Sequence, residues 1–148
     1  MEFDKDFLGK LFEQAVTNPR LRQNFDLRTS PADTSQRMLN ALLPGTKVPI
    51  HRHENTTETV ICLVGKLEEI IYEEVNEYIY EATSCCDDVI RQKSFKEVSR
   101  QVLSPAEGKF GIQIPAGAWH TINVIEPSVI FEAKDGAYNE FGNTTDKK

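Results

Sequence analysis

The chain has 148 residues, 39% of them hydrophobic and 27% charged, with a formal net charge of -6 at pH 7. That length supports one domain with a single core, and the composition is that of an ordinary globular protein. The acidic balance, with no Arg- or Lys-rich run, argues against a nucleic-acid partner, because such binding rests on neutralising phosphates.

The longest apolar run, Val60 to Val64, is far too short to span a bilayer as a helix, so no membrane partner is expected. The opening Met1-Glu2-Phe3-Asp4-Lys5-Asp6 is acidic and lacks a signal-peptide layout, which makes the cytoplasm the expected location. The cysteine count of three is odd and follows no zinc-ribbon spacing, which disfavours a disulfide framework. Cys62 reads as a small buried hydrophobe. Cys85-Cys86 is a vicinal pair able in principle to act as a thiol switch.

In chain order, Phe3, Phe7, Leu8, Leu11, Phe12, Ala15 and Val16 recur at helical spacing, predicting an amphipathic helix over residues 3–17 that Asn18-Pro19 stops. It would pack on the rest of the fold or a dimer partner, or cover a cavity mouth. From about Met38 onward, short strands are separated by turn signals, among them Pro44-Gly45, Asn55, Gly65, Asn76, Gly108 and Pro127, predicting an all-β sandwich or barrel. Leu67 to Glu74 and Glu77 to Ala82 read as two arms of an acidic hairpin, and Asp87 to Glu97 as a short helix or a loop. Glu68, Glu69, Glu73, Glu74, Glu77 and Glu81 read as a solvated face. The tail after Gly142 is expected to be disordered.

The histidines carry the chemistry. His51 and His53 are one residue apart, Glu58 follows five residues later, and the third and last histidine, His120, lies in Pro115-Ala116-Gly117-Ala118-Trp119-His120. On a strand, His51 and His53 share a face, and Asn55, Thr56 and Thr57 can reverse the chain to bring Glu58 beside them. Val60, Cys62 and Val64 continue that face, and His120, Ile122 and Val124 share one side of another strand. Three imidazoles and one carboxylate with open positions suit Fe(II), Mn, Co, Ni, Cu or Zn better than Mg or Ca.

Gly45 through Gly65 matches the first cupin motif, G-x5-H-x-H-x4-E-x6-G, and Pro115 through Asn123 resembles the second more loosely, with Asn123 one residue early. The resemblance implies a double-stranded β-helix, the jelly-roll barrel of cupins, with an N-terminal α-helix. It also implies His51, His53, Glu58 and His120 as ligands of one divalent transition metal such as Zn, Fe, Mn or Ni. Segments at Arg20–Phe25, Gln36–Leu42, Trp119–Thr121 and Phe131–Tyr138 resemble the WbuC-like cupin-fold metalloproteins, a family associated with surface-polysaccharide gene clusters. Lys47, Ala137 and the longer acidic middle depart from its pattern. The implied organisation is one domain, with helix 1–18, barrel 37–141, insert 73–97 and tail 142–148, pairing as a homodimer.

The same pattern brings Arg22 and Asn24 to the cavity as candidate substrate contacts, and Glu132 and Lys134 as candidates for proton transfer. Arg37 and Trp119 join the substrate-contact candidates, although Arg37 reads first as a surface or salt-bridge residue and Trp119 first as rim packing. With every histidine committed to the metal, a metal-free histidine-base mechanism has no base. Three readings follow. The first is Lewis-acid chemistry on a small polar ligand such as a sugar or sugar-nucleotide intermediate. The others are an Fe(II)-dependent dioxygenase and a non-catalytic ligand-binding cupin.

Overall fold

The structure, a computed structural model, describes residues 1–82 and 87–136. Helix α1 spans Lys5–Thr17. The Asp4 side chain caps it, accepting from the Phe7 amide at 2.9 Å and satisfying a donor the first turn leaves over. Six strands follow: β1 Arg22–Asp26, β2 Ser35–Leu42, β3 Glu58–Ala82, β4 Asp87–Leu103, β5 Gly111–Ile114 and β6 Trp119–Asp135. They form one antiparallel sheet in the order β1-β2-β6-β3-β4, with β5 also paired to β3. No helix of the described residues is long and apolar enough to cross a membrane.

Strand alternation divides the side chains between two layers. Leu39 and Ala41 of β2, with Val129 of β6, pack against Leu11 and Ala15 of α1. Asn40, between Leu39 and Ala41, points to the other side and lines a cavity. The helix therefore covers the outer face of β2 and β6 and is not a lid on the cavity. A second cluster, built on Leu42, Val60, Cys62, Leu67, Leu103 and Ile130, fills the inside of the curved sheet.

The bend in β3 comes from register shifts between Cys62 and Leu67. Gly65 sits there at φ +96°, and a Cβ on it would lie 2.2 Å from the Pro127 carbonyl oxygen. Only glycine fits both the backbone angle and the approach. Before the bulge, Glu58, Val60 and Cys62 face inward; after it, Leu67, Glu69 and Ile71 do. A slip of this kind exchanges the two faces of a strand.

Three expectations are corrected. Strands begin at Arg22, well before Met38. Asn76 breaks nothing: its side-chain oxygen accepts from Arg91 Nε and Nη2 at 3.1 and 3.0 Å, and β3 runs through it as one strand. Asp87 to Glu97 is neither helix nor loop but part of β4, held by its pairing with β3. Cys85-Cys86, Ala137, Tyr138 and the tail after Gly142 lie outside the described residues.

Candidate metal centre

The His51–His53 pair precedes β3 in a segment that is not strand, apart from one bridge. The His51 amide donates to the His120 carbonyl at 3.0 Å and the His120 amide to the His51 carbonyl at 2.8 Å. The Gly117 amide donates to the His53 carbonyl at 2.7 Å. Main-chain bonds thus clamp the two motifs together, and the nearest ring nitrogens of His51, His53 and His120 all lie within 4.8 Å of one another.

The imidazoles are oriented from behind. His51 Nδ1 lies 2.9 Å from the Pro49 carbonyl and His120 Nδ1 lies 2.9 Å from the Ala118 carbonyl. A carbonyl only accepts, so each Nδ1 carries the hydrogen and each Nε2 is left with its lone pair. His120 Nε2 is buried and has no hydrogen-bond partner among the described residues. Glu58, at the start of β3, places Oε2 2.6 Å from His53 Nε2 and 3.7 Å from His120 Nε2. A buried lone pair with no donor is costly, and a cation among these atoms would satisfy it. This nitrogen-rich set fits a first-row transition ion.

The electrostatics agree with that fit. Burial, then the neighbouring His120, push the His51 imidazole down to about 4, so it is neutral at physiological pH, as a ligand must be. Burial opposes ionisation of Glu58, but the adjacent His120 and His53 imidazoles outweigh it and hold the carboxyl below the ordinary carboxylate range.

The three histidines border a cavity of about 460 Å³. Register explains its walls: Asn24 opposes Asn40, Met38 opposes Glu132, Gln36 opposes Lys134, and Glu132 in turn opposes Val60. Arg22, Asn24, Glu132 and Lys134 all line this space. Burial, then the Glu58 charge and a hydrogen bond with Glu58, raise the Glu132 carboxyl well above its usual range. Burial lowers the Lys134 ammonium, whose Nζ donates to the Gly136 carbonyl at 3.3 Å.

Arg37 and Trp119 are not in the lining, because each has the opposite strand parity. Arg37 Nη2 donates to Asp33 Oδ2 at 3.0 Å and to the Leu27 carbonyl at 3.2 Å, on the face away from Gln36 and Met38. Trp119, next to His120, is turned outward beneath Arg52 at 4.5 Å and Lys93 at 4.7 Å, with Phe95 beside it. Rim packing is its place.

Cavity residues that sequence reasoning missed are Gln36, Met38, Asn40 and Glu69. Gln36, Met38 and Asn40 alternate with Arg37, and that alternation was the available signal. Glu69 is 2% exposed, which corrects its assignment to a solvated face. The parity change at Gly65 hid it. Glu68 does face outward, taking Arg100 Nη1 at 3.1 Å and Asn123 Nδ2 at 2.8 Å.

A bent antiparallel sheet with its histidine cluster inside has the cupin fold. The chain belongs to the family described as Domain of unknown function (DUF6016), whose model matches residues 3–83. It is similar in structure to KdgF from Halomonas sp., with 15% identity, a TM-score of 0.53, and coverage of 82% of this chain and 85% of that one. It is also similar to CapF, a capsular polysaccharide assembling protein from Staphylococcus aureus, with 17% identity, a TM-score of 0.53, and coverage of 86% of this chain but 32% of that one. A cupin-2 domain protein from Rhodospirillum rubrum gives 12% identity, a TM-score of 0.50, and coverage of 86% and 66%. At these identities the likeness establishes the fold. A comparison with curated proteins finds no match.

Proposed function

We propose that this chain is a metal-binding cupin acting on a small polar ligand, a sugar or sugar-nucleotide intermediate of surface-polysaccharide biosynthesis. The observation that carries the reading is the convergence of Arg22, Glu132 and Lys134 on one cavity with the three histidines. A wall of this polarity favours a polar substrate over an aromatic one. The polysaccharide setting draws on the WbuC-like resemblance of the Arg22–Asn24 and Glu132–Lys134 segments, and the likeness in fold to CapF, a capsular polysaccharide assembling protein, is in keeping with it.

A divalent ion held by His51, His53, Glu58 and His120 would supply Lewis acidity for polarising a hydroxyl or carbonyl of the substrate. The chain supplies the rest. Arg22, anchored through Nη1 on the Lys47 carbonyl at 3.1 Å, gives a positive charge for an anionic group. Glu132, kept protonated by burial and by Glu58, can deliver a proton to a substrate oxygen and take it back. Lys134, on the same strand face with its ammonium lowered by burial, can in its neutral form take the proton from the carbon next to the carbonyl.

Incubation of metal-loaded protein with hexuronates and nucleoside-diphosphate sugars in deuterium oxide tests this. Metal-dependent deuterium incorporation next to a carbonyl, lost in Glu132→Gln with metal retained, is the expected result. Substrate-dependent oxygen uptake with Fe(II) and no exchange would overturn it in favour of a dioxygenase.

A further inference from the structure

We propose that Glu69 is a ligand-binding residue of this cavity, its carboxyl taking a hydroxyl group of a polyhydroxylated ligand lying beside the histidines. Its placement rests on register. Glu69 opposes Ile122 across the β3–β6 pair, between Ile71 opposite His120 and Leu67 opposite Val124. Directly opposed residues in an antiparallel pair share a face, so Glu69 lies in the same inward row as His120. Its neighbours in that row are apolar, and Leu67, Ile71, Ile122 and Val124 belong to or pack on the inner core.

A carboxyl group in such a row is expensive. Glu69 is 2% exposed, and its Oε2 has no hydrogen-bond partner among the described residues. A leucine of similar length would suit Ile122 and Leu67 better. The cavity wall repeats the pattern: Asn40 Oδ1, whose amide serves Glu132, and Gln36 Oε1 are also buried without partners among the described residues. All three are oxygens, so what completes them must donate hydrogen bonds. Hydroxyl groups do so, and carboxylates and phosphates do not. Burial pushes the Glu69 carboxyl well above its usual range, and the charges of Glu58 and Glu132 add to this, leaving it able to accept and to donate.

The inference deepens the proposed function and rests on it. The test uses zinc-loaded full-length protein and two probes: D-glucuronate, rich in hydroxyls, and adipate, a dicarboxylate without them. Calorimetry should show wild type preferring glucuronate. Glu69→Leu should lose about tenfold or more in glucuronate affinity, the scale of one buried polar contact left unmade, with adipate affinity and zinc content unchanged. Glu69→Gln, which keeps the hydrogen-bonding shape, should recover most of the loss. The ligand-free Glu69→Leu protein should also melt higher than wild type, since it removes a buried unpartnered group, whereas a structural role would lower Tm. A wild type that holds zinc but does not distinguish the probes, or a Glu69→Leu protein that melts lower and loses both probes equally, would overturn the proposal. A wild type that holds no zinc would instead overturn the functional reading beneath it.

Discussion

His51 and His120 meet through their main chains, each amide donating to the other's carbonyl, at 3.0 and 2.8 Å. This bridge joins a segment outside the sheet to the start of β6. The rings lie beside it, tilted at 52° with centroids 4.2 Å apart, so the geometry of the donor set is fixed by backbone before any ion arrives. Preorganisation of this kind lowers the cost of binding.

The bulge at Gly65 should be intolerant of any side chain. Gly65→Ala would place a Cβ 2.2 Å from the Pro127 carbonyl oxygen at a φ of +96°. The expected loss is at least about 2 kcal/mol in urea unfolding, from strain and displaced backbone together. Gly9→Ala in α1 is the control. Nothing lies within 4 Å of its Cβ, and a gain of about 0.5–1 kcal/mol is expected from helix propensity.

Arg22 and Arg37 should separate cleanly. Arg22→Ala, on the cavity wall, should weaken binding of glucuronate to the zinc-loaded protein by about tenfold, the scale of a hydrogen-bonded charge. Arg37→Ala should leave that affinity unchanged and lower stability by about 1 kcal/mol through its partly buried pair with Asp33. Equal effects on binding would contradict the parity assigned to β2.

The metal-free protein should lose stability in mild acid through His51. Its ordinary value is 6.5 and its folded value about 4. Between these, the unfolded chain holds a proton that the folded chain does not. The contribution is therefore complete above 6.5 and lost as pH falls toward 4, amounting to roughly 3 kcal/mol at about 1.36 kcal/mol per unit. A series of urea titrations from pH 7 to 4 should show the decline, and His51→Asn should flatten it.

Cys62 should resist alkylation in the native state. It is buried in the inner core, its Sγ donates to the Val64 carbonyl at 3.4 Å, and burial raises its thiol to about 11. Peptide mapping after brief iodoacetamide treatment should find Cys62 unmodified until denaturant is added.

Much of this site was legible because its residues sit close together in sequence. His51, His53 and Glu58 declare their spacing within a few residues, and α1 shows its stripe and its stop at Asn18-Pro19. What was hidden depends on contacts that no local pattern encodes. Strand β4 is full of charge and is a strand only because β3 pairs with it. Glu69 reads as one more surface glutamate until the bulge at Gly65 reverses the faces of β3. Arg37 was attractive as an arginine near a cavity, yet its neighbours Gln36 and Met38 hold the inward positions.

The central claim is that His51, His53, Glu58 and His120 hold a transition metal. Elemental analysis of protein purified without added metal, beside a His51→Ala/His53→Ala variant, tests it most directly. About one transition-metal ion per chain in the wild type, lost in the folded variant, is the predicted result. Wild-type protein without metal, even after reconstitution with Zn, Fe, Mn or Ni, would contradict the account.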